Sequence, residues 1–498
     1  MATEYDYIVV GGGAAGSIVA ATVAAAGYSV LLLERGQPVA ADAIDVWDPT
    51  RWMRLLDDPT YELGIWSTCQ AGLDGQPRAL LQSQGLGGCQ IHNAMVYVRG
   101  GPPTYDHWAN DLGCTGWDYA TLRPYFEQIE GTLDLSSPSN PLSTSVLTAA
   151  HNLNFRPNKN YNYAATAYGA VPFQFTMTPQ ADGSFRRSTA YQSFIGQAPA
   201  PNLTVICGAY ARRLLFDVEA VSVEYQLADS GPVQLAVAAR EVVLCAGAIN
   251  TPALLLRSGI GPAGELLNCQ VPVVLDQPNV GAHFHDDLGF GLPALATIPP
   301  PVCPSGYLAA GIFACDTGEP PPDPPGFMDV NIEVQVSTSR LYGVHPPGLV
   351  VGASAMHLQS SGSVTLDPYD PFGKAPVVNP NWMSAPGDMA RAVAALNLVE
   401  AVITEPSLVA AWGLHPPAPI KEPEAFIRSH GLSVQHYVSS CRMGADPASS
   451  VVDPQLRVHG LARVRVMDAS AAPTTVTGNT AGVAMVIAAR GAALMLGS

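Results

Sequence analysis

Two places in this chain combine residue types at a spacing that can do chemistry. At the front, Gly11-Gly12-Gly13-Ala14-Ala15-Gly16 is a GxGxxG string, and an acid, Glu34, follows about twenty residues on. In such a string the first glycine (Gly11) allows a tight turn and the second (Gly13) brings backbone N–H groups against a pyrophosphate. The third (Gly16) lets a helix pack close on a strand, while the acid accepts hydrogen bonds from a ribose. The chemistry on offer is dinucleotide binding. Further on, His283-Phe284-His285-Asp286-Asp287 gathers metal-ligand types. Zinc sites need three or four suitably spaced ligands, and no other His or Cys group supports this cluster, so no metal is expected there.

The front motif works only if a strand delivers it and a helix leaves it. Tyr5 to Val10 is a short apolar run ending at glycines, which suits a strand buried on both faces. An Ala-rich stretch follows as a helix and ends near Gly27, a fitting C′ glycine. Ser29 to Leu33 then reads as a second buried strand that delivers Glu34. The N-terminus of the helix between them offers unpaired N–H groups to phosphates. This unit alone does not separate FAD from NAD.

Ile8 to Leu33 carries no charge and has the length of a membrane span. Three consecutive glycines interrupt it, and Glu4 and Asp6 stand where a signal peptide wants Lys or Arg. The stretch therefore reads as strand, helix and strand buried together, and no membrane span is expected. Thr480 to Leu496 is short and contains Arg490, as in a core helix.

With 498 residues, 48% of them apolar and 13% charged, the chain is a large, well-buried globule of two domains. A net charge of -17 argues against nucleic acid or an anionic membrane as partner. The nine cysteines form no CxxC pair, which fits a reducing, cytoplasmic setting better than a disulfide framework.

Later stretches carry a family resemblance. Gly85-Leu86-Gly87-Gly88-Cys89-Gln90-Ile91-His92-Asn93-Ala94-Met95, running on to Arg99-Gly100, resembles the "GGSS…N…M…RG" segment of the glucose–methanol–choline (GMC) oxidoreductases, which are FAD enzymes. Gly247-Ala248 through Thr251-Pro252 and Ser258-Gly259-Ile260-Gly261 is similar to that family's second signature. Pro278 to Asp287 resembles "PxVGxNLxDH", with Asp287 in place of the last His. Ser361-Gly362 through Asp367-Pro368 resembles the family's substrate-domain segment. His436 to Gly444 (HYVSSCRMG) is similar to "HxxGTxxMG", and Val466-Met467-Asp468-Ala469-Ser470 and Asn479 follow in order.

The resemblance implies an α/β fold: a discontinuous Rossmann-like FAD-binding domain (1–145, 190–290 and 445–498) and a second α+β substrate domain built on an antiparallel sheet (146–189 and 291–444). It implies an alcohol oxidised to a carbonyl, with oxygen or another acceptor taking the electrons. His436 would be the general base, since a near-neutral imidazole can take the hydroxyl proton. Asn479 would orient the substrate oxygen and, as a favoured N-cap type, also open the last helix. His92 aligns with the histidine that choline oxidases (GGCSSHN) and pyranose dehydrogenases join to the flavin 8α carbon, so covalently attached FAD is expected. Asn93, Ala94 and Val96 would lie along the flavin, Ala211 against the adenine, and Asp468 and Ala469 near the pyrophosphate and flavin. A weak match puts Ala309 where choline oxidases hold trimethylammonium with a glutamate, which counts against choline. Pro299 to Pro325 reads as one extended loop, either a lid or a plain surface connection. Two relatives of the same fold offer other readings, a hydroxynitrile lyase that keeps FAD without net redox chemistry and a photodecarboxylase.

Overall fold

The computed structural model describes residues 3–163, 168–196, 199–218, 220–227, 231–306, 308–315, 330–336 and 348–497. Two seven-stranded sheets organise them. The first starts with β1 (Thr3–Val10), α1 (Ala14–Ala25) and β2 (Val30–Leu33). β1 sits mid-sheet, parallel to β2 on one side and to Val233–Leu244 on the other, and β2 runs parallel to Leu203–Ile206. Parallel strands are covered on both faces, which is why β2 is an unbroken apolar run and not an alternating one. On the edge away from β1, the strand Val233–Leu244 serves two partners. Its first half pairs antiparallel with Val221–Leu227, which continues to Ala209–Phe216, and its second half takes Val464–Val466 in parallel. The tail of the chain thus returns to the sheet that the front began.

α1 packs against the last helix, Ala481–Leu496. Both are apolar and buried over most of their surface, as core helices are. Among the described residues no single helix is long and apolar enough to cross a membrane.

The second sheet is antiparallel, in the order Leu414–His415, Leu288–Ala296, Gly348–Ala355, Val330–Val336, Leu308–Ala314 and Gly169–Val171. Leu432–Ser433 pairs beside Leu288–Ala296. The strand Leu308–Ala314 corrects the reading of Pro299 to Pro325 as a single loop. This run, LAAGIFA, contains no proline to break a ladder, and Gly311 lies so close to Phe173 that an added Cβ would come within 2.1 Å of the ring. The prolines only bracket it. The PPPDPP piece at 320–325, and with it the lid question, lies outside the described residues.

Each sheet has its own hydrophobic cluster. Tyr437 belongs to the cluster of the second sheet and its neighbour Val438 to that of the first, so this segment runs along the seam between them.

Candidate active site

The nucleotide end is built by the turn from β1 into α1. Gly11 has φ +107°, and a Cβ on Gly16 would lie 1.8 Å from the Gly11 carbonyl oxygen, so the helix starts directly against the strand only because both are glycine. Gly13 caps α1 without a side-chain bond and the first turn holds no acid, leaving the helix N–H groups open to an anion. At the end of β2, buried Glu34 accepts at Oε2 from Gly12 N (2.7 Å) and at Oε1 from Gly36 N (2.8 Å) and Gly85 N (2.9 Å). It therefore ties three loops together. Of the roughly four acceptor positions on a carboxylate, one remains, on Oε2, for a ribose hydroxyl. Burial pushes the Glu34 carboxyl pKa up, and those three amides pull it back.

A cleft with a cavity volume of about 350 Å³ runs from this turn to the seam between the sheets. Its size falls within the 300–1,000 Å³ of common small-ligand pockets, and its run from the phosphate turn to His436 has the reach of an extended dinucleotide. Gly11, Gly13, Ala14, Ala15, Glu34 and Ala211 line it, as do His92, Asn93, Ala94 and Val96. Asp468, Ala469, His436 and Asn479 complete the predicted set on its wall. Gly16 does not line the cleft, and its part is the close packing just described. The unfilled α1 terminus, the spare Glu34 acceptor and the length of the cleft fit FAD.

Two of these positions do more than line the wall. The Asp468 carboxylate accepts from Gly247 N (2.8 Å), Thr251 Oγ1 (2.6 Å), Ser470 N (2.8 Å) and Ser470 Oγ (2.5 Å). Those bonds engage it within the protein, where it clamps the loop of Asp468 to the helix Gly247–Arg257. Beneath the His92 segment lies Arg187, which sequence reasoning missed. Its Nη1 donates to Gln90 O (2.9 Å) and Asn93 Oδ1 (2.8 Å), and its Nε donates to Val46 O (3.0 Å). Arg187 is 1% exposed and forms no ion pair among the described residues, and burial lowers its pKa to about 9. It fixes the loop that presents His92 and Asn93.

His436, 6% exposed, sits at the far end of the cleft. Its Nδ1 lies 2.9 Å from Asp287 Oδ2. An ionised carboxylate only accepts, so the ring proton is held on Nδ1 and the Nε2 lone pair is left toward the cleft. Asn479 Nδ2 lies 3.2 Å from that Nε2, and Asn479 Oδ1 is buried without a hydrogen-bond partner among the described residues. The helix-capping role expected of Asn479 is corrected: Thr480 is the N-cap residue, and it makes no side-chain cap. The Asn479 amide has turned to the imidazole, where it cannot also reach the N–H groups of the helix.

The preceding acid holds the backbone. Asp286 Oδ1 accepts from His436 N (2.8 Å) and Oδ2 from Ser433 Oγ (2.6 Å). Ser433 Oγ in turn accepts from Gln435 N (3.1 Å), whose φ of +62° places the residue before the base in the left-handed region. Burial pushes the Asp286 carboxyl to about 7 and raises Asp287 as well, while the His436 N–H pulls Asp287 back. Tyr437 stacks on Phe284 with ring centroids 5.5 Å apart. Neither acid was singled out for the site from sequence. In the sequence Asp287 stands out as a member of a metal-ligand-type run and as a mismatch to the family pattern, and its partner stands 149 residues away.

The geometry agrees with what comparison finds. The family model for GMC oxidoreductase matches residues 5–288, and its C-terminal companion, also described as GMC oxidoreductase, matches residues 359–488. An oxygen-dependent choline dehydrogenase of Yersinia pseudotuberculosis serotype O:1b (strain IP 31758) is 31% identical over 97% of this chain and 92% of its own. One from Pseudomonas savastanoi pv. phaseolicola (strain 1448A / Race 6) is 31% identical over 96% and 91%. Among solved structures, pyridoxine 4-oxidase from Mesorbium loti superposes with a TM-score of 0.89 and 26% identity, covering 99% of both chains. A formate oxidase shares the fold, with a TM-score of 0.88 at 20% identity, covering 100% of this chain and 98% of the other. The chain belongs to the GMC oxidoreductase family and is an FAD-dependent oxidoreductase with a Rossmann-like cofactor domain and a substrate domain.

Proposed function

We propose that this protein oxidises an uncharged, largely apolar alcohol to its carbonyl, with His436 as the base. The α1 N-terminus, Glu34 and the Gly85–Val96 segment would hold FAD, which would supply a two-electron acceptor for the hydride. The remaining work falls to the side chains. Removing the hydroxyl proton puts negative charge on the oxygen and drives the C–H bond to break, and a positioned base contributes roughly 10²- to 10⁴-fold. Asp287 keeps the ring proton on Nδ1, so His436 Nε2 carries a lone pair, which accepts from Asn479 Nδ2 at 3.2 Å until that amide turns to the substrate oxygen. As the imidazole becomes a cation, the same carboxylate stabilises it by a charge-assisted hydrogen bond. Asn479 hydrogen-bonds the substrate oxygen and keeps it beside the base. The observation that carries this reading is the line Asp287–His436–Asn479, closed at 2.9 Å and 3.2 Å on the cleft wall.

The substrate class follows from the wall. Its described acids are Glu34 and Asp468, both engaged by backbone amides, while Trp52, Leu56, Leu63, Leu432, Val434 and Tyr437 are among its larger apolar groups. Choline is the second reading, favoured by likeness to choline dehydrogenases, and Trp52 or Tyr437 could meet a quaternary ammonium through a ring face. The oxygen dependence of those relatives leads us to take dioxygen as the reoxidant, and the match of GGCQIHN to the choline oxidase segment leads us to take His92 as covalently joined to the flavin 8α carbon. Anaerobic mixing of the holoprotein with benzyl alcohol, 1-hexanol or choline, followed by flavin absorbance, tests this reading. Bleaching by benzyl alcohol or 1-hexanol and not by choline is expected. If no alcohol bleaches the bound flavin but mandelonitrile is cleaved, the redox reading fails and the lyase stands.

A further inference from the structure

Glu62 is a carboxylate that neither the nucleotide site nor the alcohol site uses. It lies in the irregular stretch before Ile65 and its side chain is 7% exposed. Three backbone bonds fix it: Oε1 accepts from Gly64 N (3.1 Å) and Gln82 N (3.1 Å), and Oε2 accepts from Gln82 N (3.2 Å). So anchored, Oε2 comes 3.1 Å from His92 Nε2. His92 lines the cleft and is 5% exposed, and Nε2 is its buried nitrogen. The distance is that of a hydrogen bond although the N–H direction is off the line, and no other described acceptor lies at Nε2. No described residue takes up Nδ1.

We propose that Glu62 activates His92 for its own covalent modification: it holds the ring proton on Nε2, leaves the Nδ1 lone pair toward the cleft, and takes the Nε2 proton as Nδ1 bonds to the flavin 8α carbon. This rests on the reading that His92 carries the flavin. A neutral imidazole attacks through the nitrogen that bears no hydrogen, and its other N–H becomes acidic as the bond forms, so a carboxylate at that N–H lowers the barrier. The 8α carbon loses one hydrogen as a proton and gains the bond to Nδ1. The imidazole loses its Nε2 proton to Glu62. The electron pair of the broken C–H bond leaves the ring system two-electron reduced, and it takes up two protons. Dioxygen then reoxidises it and is released as hydrogen peroxide. Arg187, which holds the loop through Gln90 and Asn93, keeps the attacking ring in place.

The test reads mass and attachment, not turnover. Wild type, His92→Ala, Glu62→Gln and Glu62→Asp are incubated with FAD in air, and the fraction of acid-denatured chain carrying the flavin mass is followed with time. Native absorbance before denaturation reports how much FAD each variant binds. Wild type should become fully adducted and His92→Ala not at all. Glu62→Gln should bind FAD yet form the adduct roughly 100-fold more slowly. Glu62→Asp should lie between them, and it stands in if the glutamine variant does not fold. Acid hydrolysis of wild type should release the Nδ1-linked histidylflavin. A wild type without adduct refutes the His92 linkage, and this proposal with it. A wild type with adduct, but glutamine or aspartate variants that form it at the wild-type rate, or a linkage through Nε2, overturns the role of Glu62 alone.

Discussion

Replacing Asp287 with asparagine separates catalysis from stability. The carboxylate accepts the His436 Nδ1 proton at 2.9 Å. An asparagine amide can instead donate to Nδ1, which moves the ring proton to Nε2 and removes the lone pair that should take the substrate proton. Losing a charge-assisted hydrogen bond costs about 1.5–3 kcal/mol, or about 10- to 150-fold in rate at 1.36 kcal/mol per decade. Inverting the tautomer extends the loss toward the roughly 10⁴-fold of a missing base. Folding should move the other way. Burial holds the Asp287 pKa above 3.8, so at pH 8 the wild-type fold carries a charge that its surroundings disfavour, and a neutral isostere relieves it. The assay is anaerobic stopped-flow loss of oxidised-flavin absorbance with benzyl alcohol, beside a thermal melt at pH 8. The expected pair is flavin reduction at least about tenfold slower and a Tm equal to or above wild type. Reduction within about threefold of wild type (about 0.65 kcal/mol) would refute the reasoning.

Two more outcomes follow from the same coordinates. Asp286 titrates near 7 in the fold against 3.8 ordinarily, so between those values the unfolded chain is ionised while the fold keeps its proton, and stability falls as pH rises. Asp286→Asn should flatten that decline: the wild-type Tm drops relative to the variant from about pH 4 to about pH 7, whereas parallel curves would contradict the assignment. For Gly16→Ala, whose Cβ would lie 1.8 Å from the Gly11 carbonyl oxygen, overpacking should cost about 1–3 kcal/mol and open the phosphate turn. A melt, and desalting of Gly16→Ala combined with His92→Ala so that no covalent bond at residue 92 can hold the flavin, check this, with lowered Tm and lost FAD expected, and retained flavin with an unchanged Tm counting against it.

How much was legible in the sequence depended on whether a residue's partners were local. The β1–α1–β2 unit reads directly because three glycines and an acid serve one turn, and the apolar runs around them have the period of buried strands and a core helix. His436 and Asn479 were found through the family resemblance, and the cleft brings both together. Asp286, Asp287, Glu62 and Arg187 were not found, since each acts on a partner that only the fold delivers: Asp287 reaches across 149 residues, and Arg187 reaches 94 residues back to Asn93. Flanking prolines hide the strand Leu308–Ala314, because a short apolar run between proline-rich pieces reads as loop until the strands that pair on both its sides are known. Asn479 was given a capping role from its residue type. A neighbouring imidazole, invisible in the local sequence, took that amide instead.

The most direct measurement of the central claim is the flavin reduction rate of His436→Gln under anaerobic benzyl alcohol, with FAD content confirmed by absorbance. The account predicts a holoprotein that keeps its flavin and bleaches roughly 10²- to 10⁴-fold more slowly than wild type. A variant that retains FAD and bleaches at the wild-type rate would contradict it, because the proton would then leave the alcohol without the imidazole that Asp287 and Asn479 hold between them.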